Sequence, residues 1–156
     1  MIGMDAAHPG FDLLLRVGLA TLLGVAIGLE RQWRSRMAGL QTMALVSMGS
    51  ALFTVMGAYA FPNDGDRLRV AAQIVTGIGF LGAGVIIKSG MTVAGLNTAA
   101  TLWATAAVGA LCGVGMWREA VVGAVMIVAA NGLLYPLAKW IDRRPHKPGH
   151  EKRADF

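Results

Sequence analysis

Residues 77–82 read Gly77-Ile78-Gly79-Phe80-Leu81-Gly82, inside the run AAQIVTGIGFLGAGVIIK of residues 71–88. The spelling G-x-G-x-x-G is the fingerprint of a dinucleotide-binding turn, where glycines let the backbone approach a pyrophosphate at a helix N-terminus. That reading needs a strand before the turn, a helix after it, and an acid about 20 residues on for the ribose. After Gly82 no Asp or Glu occurs until Glu119. Val70–Thr76 is continuous with the apolar stretch that follows, and no repeated strand–helix pattern comes after it. The fingerprint is a coincidence of glycine density, and the glycines belong to one long apolar segment.

The rest of the chain agrees. Its 156 residues are 55% hydrophobic and 15% charged, with mean hydropathy +0.56. A soluble domain is about 45–50% apolar and about 25% charged, so the composition points to a bilayer as the solvent. One cysteine, Cys112, lies in an apolar run, which excludes an intrachain disulfide and a two-cysteine metal site. It reads as a small buried residue. The net charge of +5 does not imply nucleic acid, because the basic residues form no single patch with interleaved aromatics.

Five apolar runs follow, at about 11–29, 39–61, 70–87, 98–117 and 120–140. Each approaches the ~20 residues a helix needs to cross a bilayer. The expected fold is an all-α membrane protein, a five-helix bundle over residues 1–140. The first run lacks the positive n-region of a signal peptide and is kept as a helix. With the N-terminus outside, Arg31, Arg34, Arg36, Lys88, Lys139, Arg143, Arg144, Lys147, Lys152 and Arg153 lie inside, against Arg67, Arg69 and Arg118 outside. Ten against three sets the expectation of N-terminus out and C-terminus in the cytoplasm. Residues 141–156 read as a basic, disordered cytoplasmic tail suited to anionic lipid. In that tail His146, His150 and Glu151 read as solvated residues.

Inside the membrane small residues let helices approach. Gly24 and Gly28 in the first helix, and Gly109 and Gly113 in the fourth, have that spacing. Gly77, Gly79, Gly82 and Gly84 leave the third helix almost bare, which suits the bundle centre or a dimer axis. Dense glycine also weakens a helix, so a break near Gly82–Gly84, lining a site, is the other reading.

Intramembrane polar groups are costly and mark candidate sites. Arg16 follows Asp12 at i,i+4, a spacing that pairs them near the outer interface. Glu30 and Arg31 lie at the inner boundary of the first helix, either as an interfacial cluster or as functional charges. Ser47, Ser50 and Thr54, then Gln73 and Thr76, then Thr98, Thr101 and Thr105 form three stripes at helical spacing. Each can hydrogen-bond to its own helix. Together they outline a polar path between helices two, three and four. Asn97 and Thr98 read as the N-cap of helix four.

The segments GVAIGLERQWR, AGLQTMALVSMGSALFTVMG, RVAAQIVTGIGFLGAGVIIKSG and GLNTAATLWATAAVGALCGVG, in this order, resemble the MgtC/SapB membrane-protein family from about Leu13 to Gly132. The resemblance implies a five-helix module of the bacterial inner membrane. It also implies a link to growth under magnesium limitation, and regulation of other membrane proteins, the ATP synthase among them, rather than magnesium transport. The positions it carries over are Arg16, Glu30, Arg31, Gln73, Gly77, Gly79, Gly82, Gly84, Asn97, Thr98 and Thr101. Family members often have arginine where this chain has Gln41, and another near Ala94. Many carry a cytoplasmic ACT-like domain, and this sequence is expected to be a short form without it, so virulence is not implied.

Two functions compete. One is a regulatory module that binds other membrane proteins. The other is a channel or transporter for Mg²⁺ or another cation, built on Glu30, Gln73, Asn97 and the threonines. A hard cation wants oxygen ligands, and the acids are confined to helix ends, which favours regulation. An enzyme is disfavoured because the spans hold no histidine and no nucleophile–base pair. No cofactor is expected, and the identity of any metal is left open. The expected partners are the bilayer and a second copy of the chain, a dimer through helix three or four.

Overall fold

The computed structural model describes residues 9–61, 64–89 and 92–142. Its elements are α1 (Pro9–Trp33), α2 (Leu40–Ala60), α3 (Asp64–Val85), β1 (Ile87–Ser89), β2 (Thr92–Ala94), α4 (Leu96–Gly113) and α5 (Trp117–Asp142). The expected tail, from residue 143 onward, lies outside the described residues. All five helices carry apolar stretches of 18 to 24 residues, long enough to cross a bilayer. Their packing is that of a membrane protein. Many large side chains, such as Leu22, Phe53, Phe80, Trp103 and Met126, point outward, while the interior holds Ala20, Ala51, Ala106, Cys112, Ala120 and Ala124 around Ile27, Met43 and Leu102. Hydrocarbon gives no drive to hide leucine, so small residues occupy the contacts instead.

Several boundaries differ from expectation, each for a local reason. Helix α3 begins at Asp64 rather than Val70, so the charged residues read as a loop form its first turns. Charge limits where a helix can meet lipid, but it does not end the helix. At the other end α3 runs unbroken through Gly82 and Gly84 to Val85. A two-stranded antiparallel hairpin follows, with Ile87 opposite Ala94 and Ser89 opposite Thr92. The β-branched Ile86, Ile87, Thr92 and Val93 favour extended backbone.

Helix α4 starts at Leu96, with Gly95 as its N-cap at φ +90 and no side-chain cap. Asn97 and Thr98 therefore lie in the first turn, and the N-cap expected of them is corrected. A side chain on Gly95 would run into the Val85 carbonyl, so glycine alone meets both the angle and the space. The break between the last two helices falls at 114–116, not at Arg118–Glu119. Gly115 adopts φ +82, its N–H donates to Cys112 O at 3.0 Å, and Met116 N–H donates to Leu111 O at 2.9 Å. That is a Schellman stop. Glu119 then sits in the first turn of α5, where the helix dipole favours an acid.

The largest correction concerns the glycine-rich helix. Helix α4, not α3, is central, since it packs against α1, α2, α3 and α5. Side chains added at Gly77, Gly79 or Gly84 would meet nothing within 4 Å, and one at Gly82 would only touch Ala99 at 3.6 Å. The tight approaches lie elsewhere. A Cβ on Gly24 would come within 2.6 Å of the Met43 carbonyl, one on Gly28 within 2.5 Å of Leu40 Cα, and one on Gly113 within 2.7 Å of Thr54 Cβ. Gly109 lies directly on the Ser47 carbonyl. These four glycines seat α2 between α1 and α4.

Candidate functional site

Arg31 ends the buried face of α1. Its residue is 1% exposed, at a depth where charge is rare. The turn after α1 explains how the guanidinium is held. Ser35 takes φ 52, and Arg36 N–H closes back on Arg31 O at 3.0 Å, which folds Ala38 under the helix end. Arg31 Nε then donates to Ala38 O at 3.1 Å, Nη1 to Thr101 Oγ1 at 3.2 Å and Nη2 to Thr98 Oγ1 at 2.6 Å. Among the described residues no carboxylate pairs with it; Asp12 pairs with Arg16 and Glu30 with Arg34. Three neutral oxygens hold the charge, and the planar fork of the guanidinium matches their separate directions.

Around this centre the α4 stripe is engaged throughout. Thr101 Oγ1 donates to Asn97 O at 2.8 Å and Thr105 Oγ1 to Thr101 O at 2.7 Å. Asn131 of α5 donates through Nδ2 to Thr101 Oγ1 at 3.4 Å and accepts from Asn97 Nδ2 at 3.5 Å. The sequence reading missed Asn131, although an amide within an apolar run is itself a signal. On α2 the stripe Ser47, Ser50 and Thr54 is also buried, with Thr54 donating to Ser50 O at 2.8 Å and Ser47 Oγ left without a partner.

The expected path between three helices is not assembled. Gln73 and Thr76 of α3 are exposed, and Thr76 donates to its own helix at Ala72 O. Gln73 instead lines a groove between α2 and α3, away from Arg31. Glu30 also stands apart from Arg31, because neighbours on a helix point about 100° apart. Arg34 Nε lies 2.7 Å from Glu30 Oε1, close but out of hydrogen-bond alignment, and Arg34 Nη2 donates to Gly132 O at 3.4 Å. That carbonyl is the one left free by Pro136, four residues on in α5, which has no N–H to give it. Near the other end of α1, Arg16 donates to Asp12 Oδ2 at 2.8 Å and to Gly113 O at 2.9 Å, capping the end of α4. Arg16 and Arg31 of α1 and Arg34 just past its end thus hold three backbone carbonyls, in α4, the turn before α2 and α5.

Comparison with known proteins places this arrangement. The description of the MgtC family matches residues 17–140. An uncharacterized protein of Synechocystis is 54% identical over 134 residues, covering 86% of this chain and 57% of that protein. Protein MgtC of Salmonella typhimurium is 50% identical over 143 residues, covering 92% of this chain and 61% of the relative. Protein MgtC of Brucella abortus is 53% identical over 130 residues, covering 83% and 54%. The chain therefore spans little more than half the length of these curated relatives. No solved structure matches it. With its five apolar helices, this is a multi-pass membrane protein, and it belongs to the MgtC family.

Proposed function

We propose that this protein is a regulatory module of the bacterial inner membrane, which acts by binding other membrane proteins and so adjusts magnesium, ion or energy balance. The observation that carries the reading is the buried guanidinium of Arg31. The polar interior, the natural place for a cation path, holds a fixed positive charge bonded to Thr98 and Thr101. A charge of that sign in a narrow polar channel repels cations. The interior's hydrogen bonds lock helices together, which leaves the outer surface as the working part. In this reading the arginine-rich ends face the cytoplasm.

Purified and reconstituted into vesicles, the chain is expected to pass no Mg²⁺, K⁺ or H⁺ above the protein-free rate. A cation flux that disappears in Glu30→Gln, with the protein still inserted and folded, would replace this reading with the transporter.

The same reading makes the chain a dimer through the outer face of α3. The lipid-facing side of α5 is built of Val122, Val125, Met126 and Leu133, while the exposed positions of α3 include the small residues Thr76, Gly79, Ala83 and Gly84 around Phe80. Plain hydrocarbon suits the first surface; the second suits a close-packed helix. A second copy across a two-fold axis is the occupant that self-complementarity favours. Gly79→Leu is expected to convert the dimer to monomer by native mass spectrometry in mild detergent, without lowering its thermal stability. A wild-type chain that is monomeric under those conditions removes the dimer.

A further inference from the structure

Helices α2 and α3 touch at Gly57 and Val70, where an added Cβ on Gly57 would lie 3.1 Å from the valine. Beyond that point they leave a groove of about 1020 Å³, open toward the membrane. Its walls are mostly apolar, with Gln41, Thr42, Ser50 and Gln73 among them and, among the described residues, Arg69 as the charged one. The apolar span of α3 starts at Leu68, so Arg69 stands at the membrane boundary. Gln73 follows one helical turn deeper, about 6 Å along the axis, and Ile74 and Ile78 come next, facing Phe53 and Met56 of α2. We propose that this groove binds an anionic phospholipid, its phosphate at Arg69, its ester group at Gln73 and an acyl chain along Ile74, Ile78, Phe53 and Met56.

The order of chemistry along the groove is the argument. From the Arg69 end inward, a cation, then an amide, then a mostly apolar stretch in which Ser50 is the polar side chain matches the sequence of phosphate, ester and hydrocarbon along a lipid. Gln73 is exposed at a depth where an amide facing bare hydrocarbon is costly, and an ester carbonyl supplies its acceptor. Gly49 and Gly77 line the groove beside Phe53, Met56 and Phe61, and the three bulky side chains hold a second helix back while leaving room for a chain between them.

The test uses the full chain in phosphatidylethanolamine vesicles that contain phosphatidylglycerol with a photoactivatable diazirine in one acyl chain. Mass spectrometry of the adducts is expected to place them on Phe53, Met56 and Ile74. Arg69→Gln should reduce that yield roughly fivefold, the effect of losing one cation at an anionic surface. Arg118→Gln removes the same charge from a residue stacked on Trp117 rather than in the groove and should leave the yield unchanged. Ile74→Trp, which fills the channel, should abolish the adducts in protein that still elutes as folded. Equal labelling of Val122 and Met126 on α5 would overturn the site. So would equal yields from a phosphatidylcholine probe with the same chain, or cross-links from these positions to a second polypeptide.

Discussion

Arg31→Ala is expected to lose about 3 kcal/mol of stability, because it strips a donor from three buried oxygens and leaves a cavity at the end of α1. Arg31→Met should lose only about 1 kcal/mol, since it refills the volume and removes the cost of burying a charge. One of the two threonines softens that change: Thr101 already donates to the Asn97 carbonyl of its own helix and accepts from Asn131. Arg31→Lys falls between the two, because one ammonium cannot reach acceptors that lie in three directions. Thermal unfolding in detergent, followed by the folded fraction in size exclusion, gives the order. Alanine and methionine variants that melt together would show that packing volume is irrelevant here, and the guanidinium would then act by its charge alone.

The second large effect separates two glycines that look alike in sequence. Gly109→Ala should cost about 2–3 kcal/mol, because its Cβ falls on the Ser47 backbone, which can retreat only by moving α2. Gly77→Ala should be neutral or stabilising by up to about 1 kcal/mol, since the position is open and alanine is the better helix former. The same melting measurement compares them. Similar losses at both sites would mean that α3 is packed where the structure shows open space.

Much of the architecture is legible in the apolar runs, because span length is a property of a segment by itself. Helix existence and the buried threonine and serine stripes of α2 and α4 follow from periodicity alone. Which helix stands at the centre does not. Glycine density points to α3, yet close approach depends on which face a glycine occupies and what lies across from it. Gly109 meets a backbone; Gly79 meets nothing. Helix ends were misread for a related reason. At Arg118–Glu119 polarity marks the membrane boundary, whereas the chain reverses at Gly115, where the backbone takes a left-handed turn. The pairing of Asp12 with Arg16 is local and can be read from spacing. The partners of Arg31, some 67 and 70 positions away, cannot.

That long separation has a consequence for how the protein is made. Helix α1 leaves the ribosome first, but the carbonyls and hydroxyls that receive its Arg16 and Arg31, and Arg34 just past its end, include those of residues 98, 101, 113 and 132. Until α4 is inserted, Arg31 has only Ala38 O among its final acceptors. The contacts that fasten the first helix thus become available only with α4 and α5, at least 67 residues after Arg31 itself.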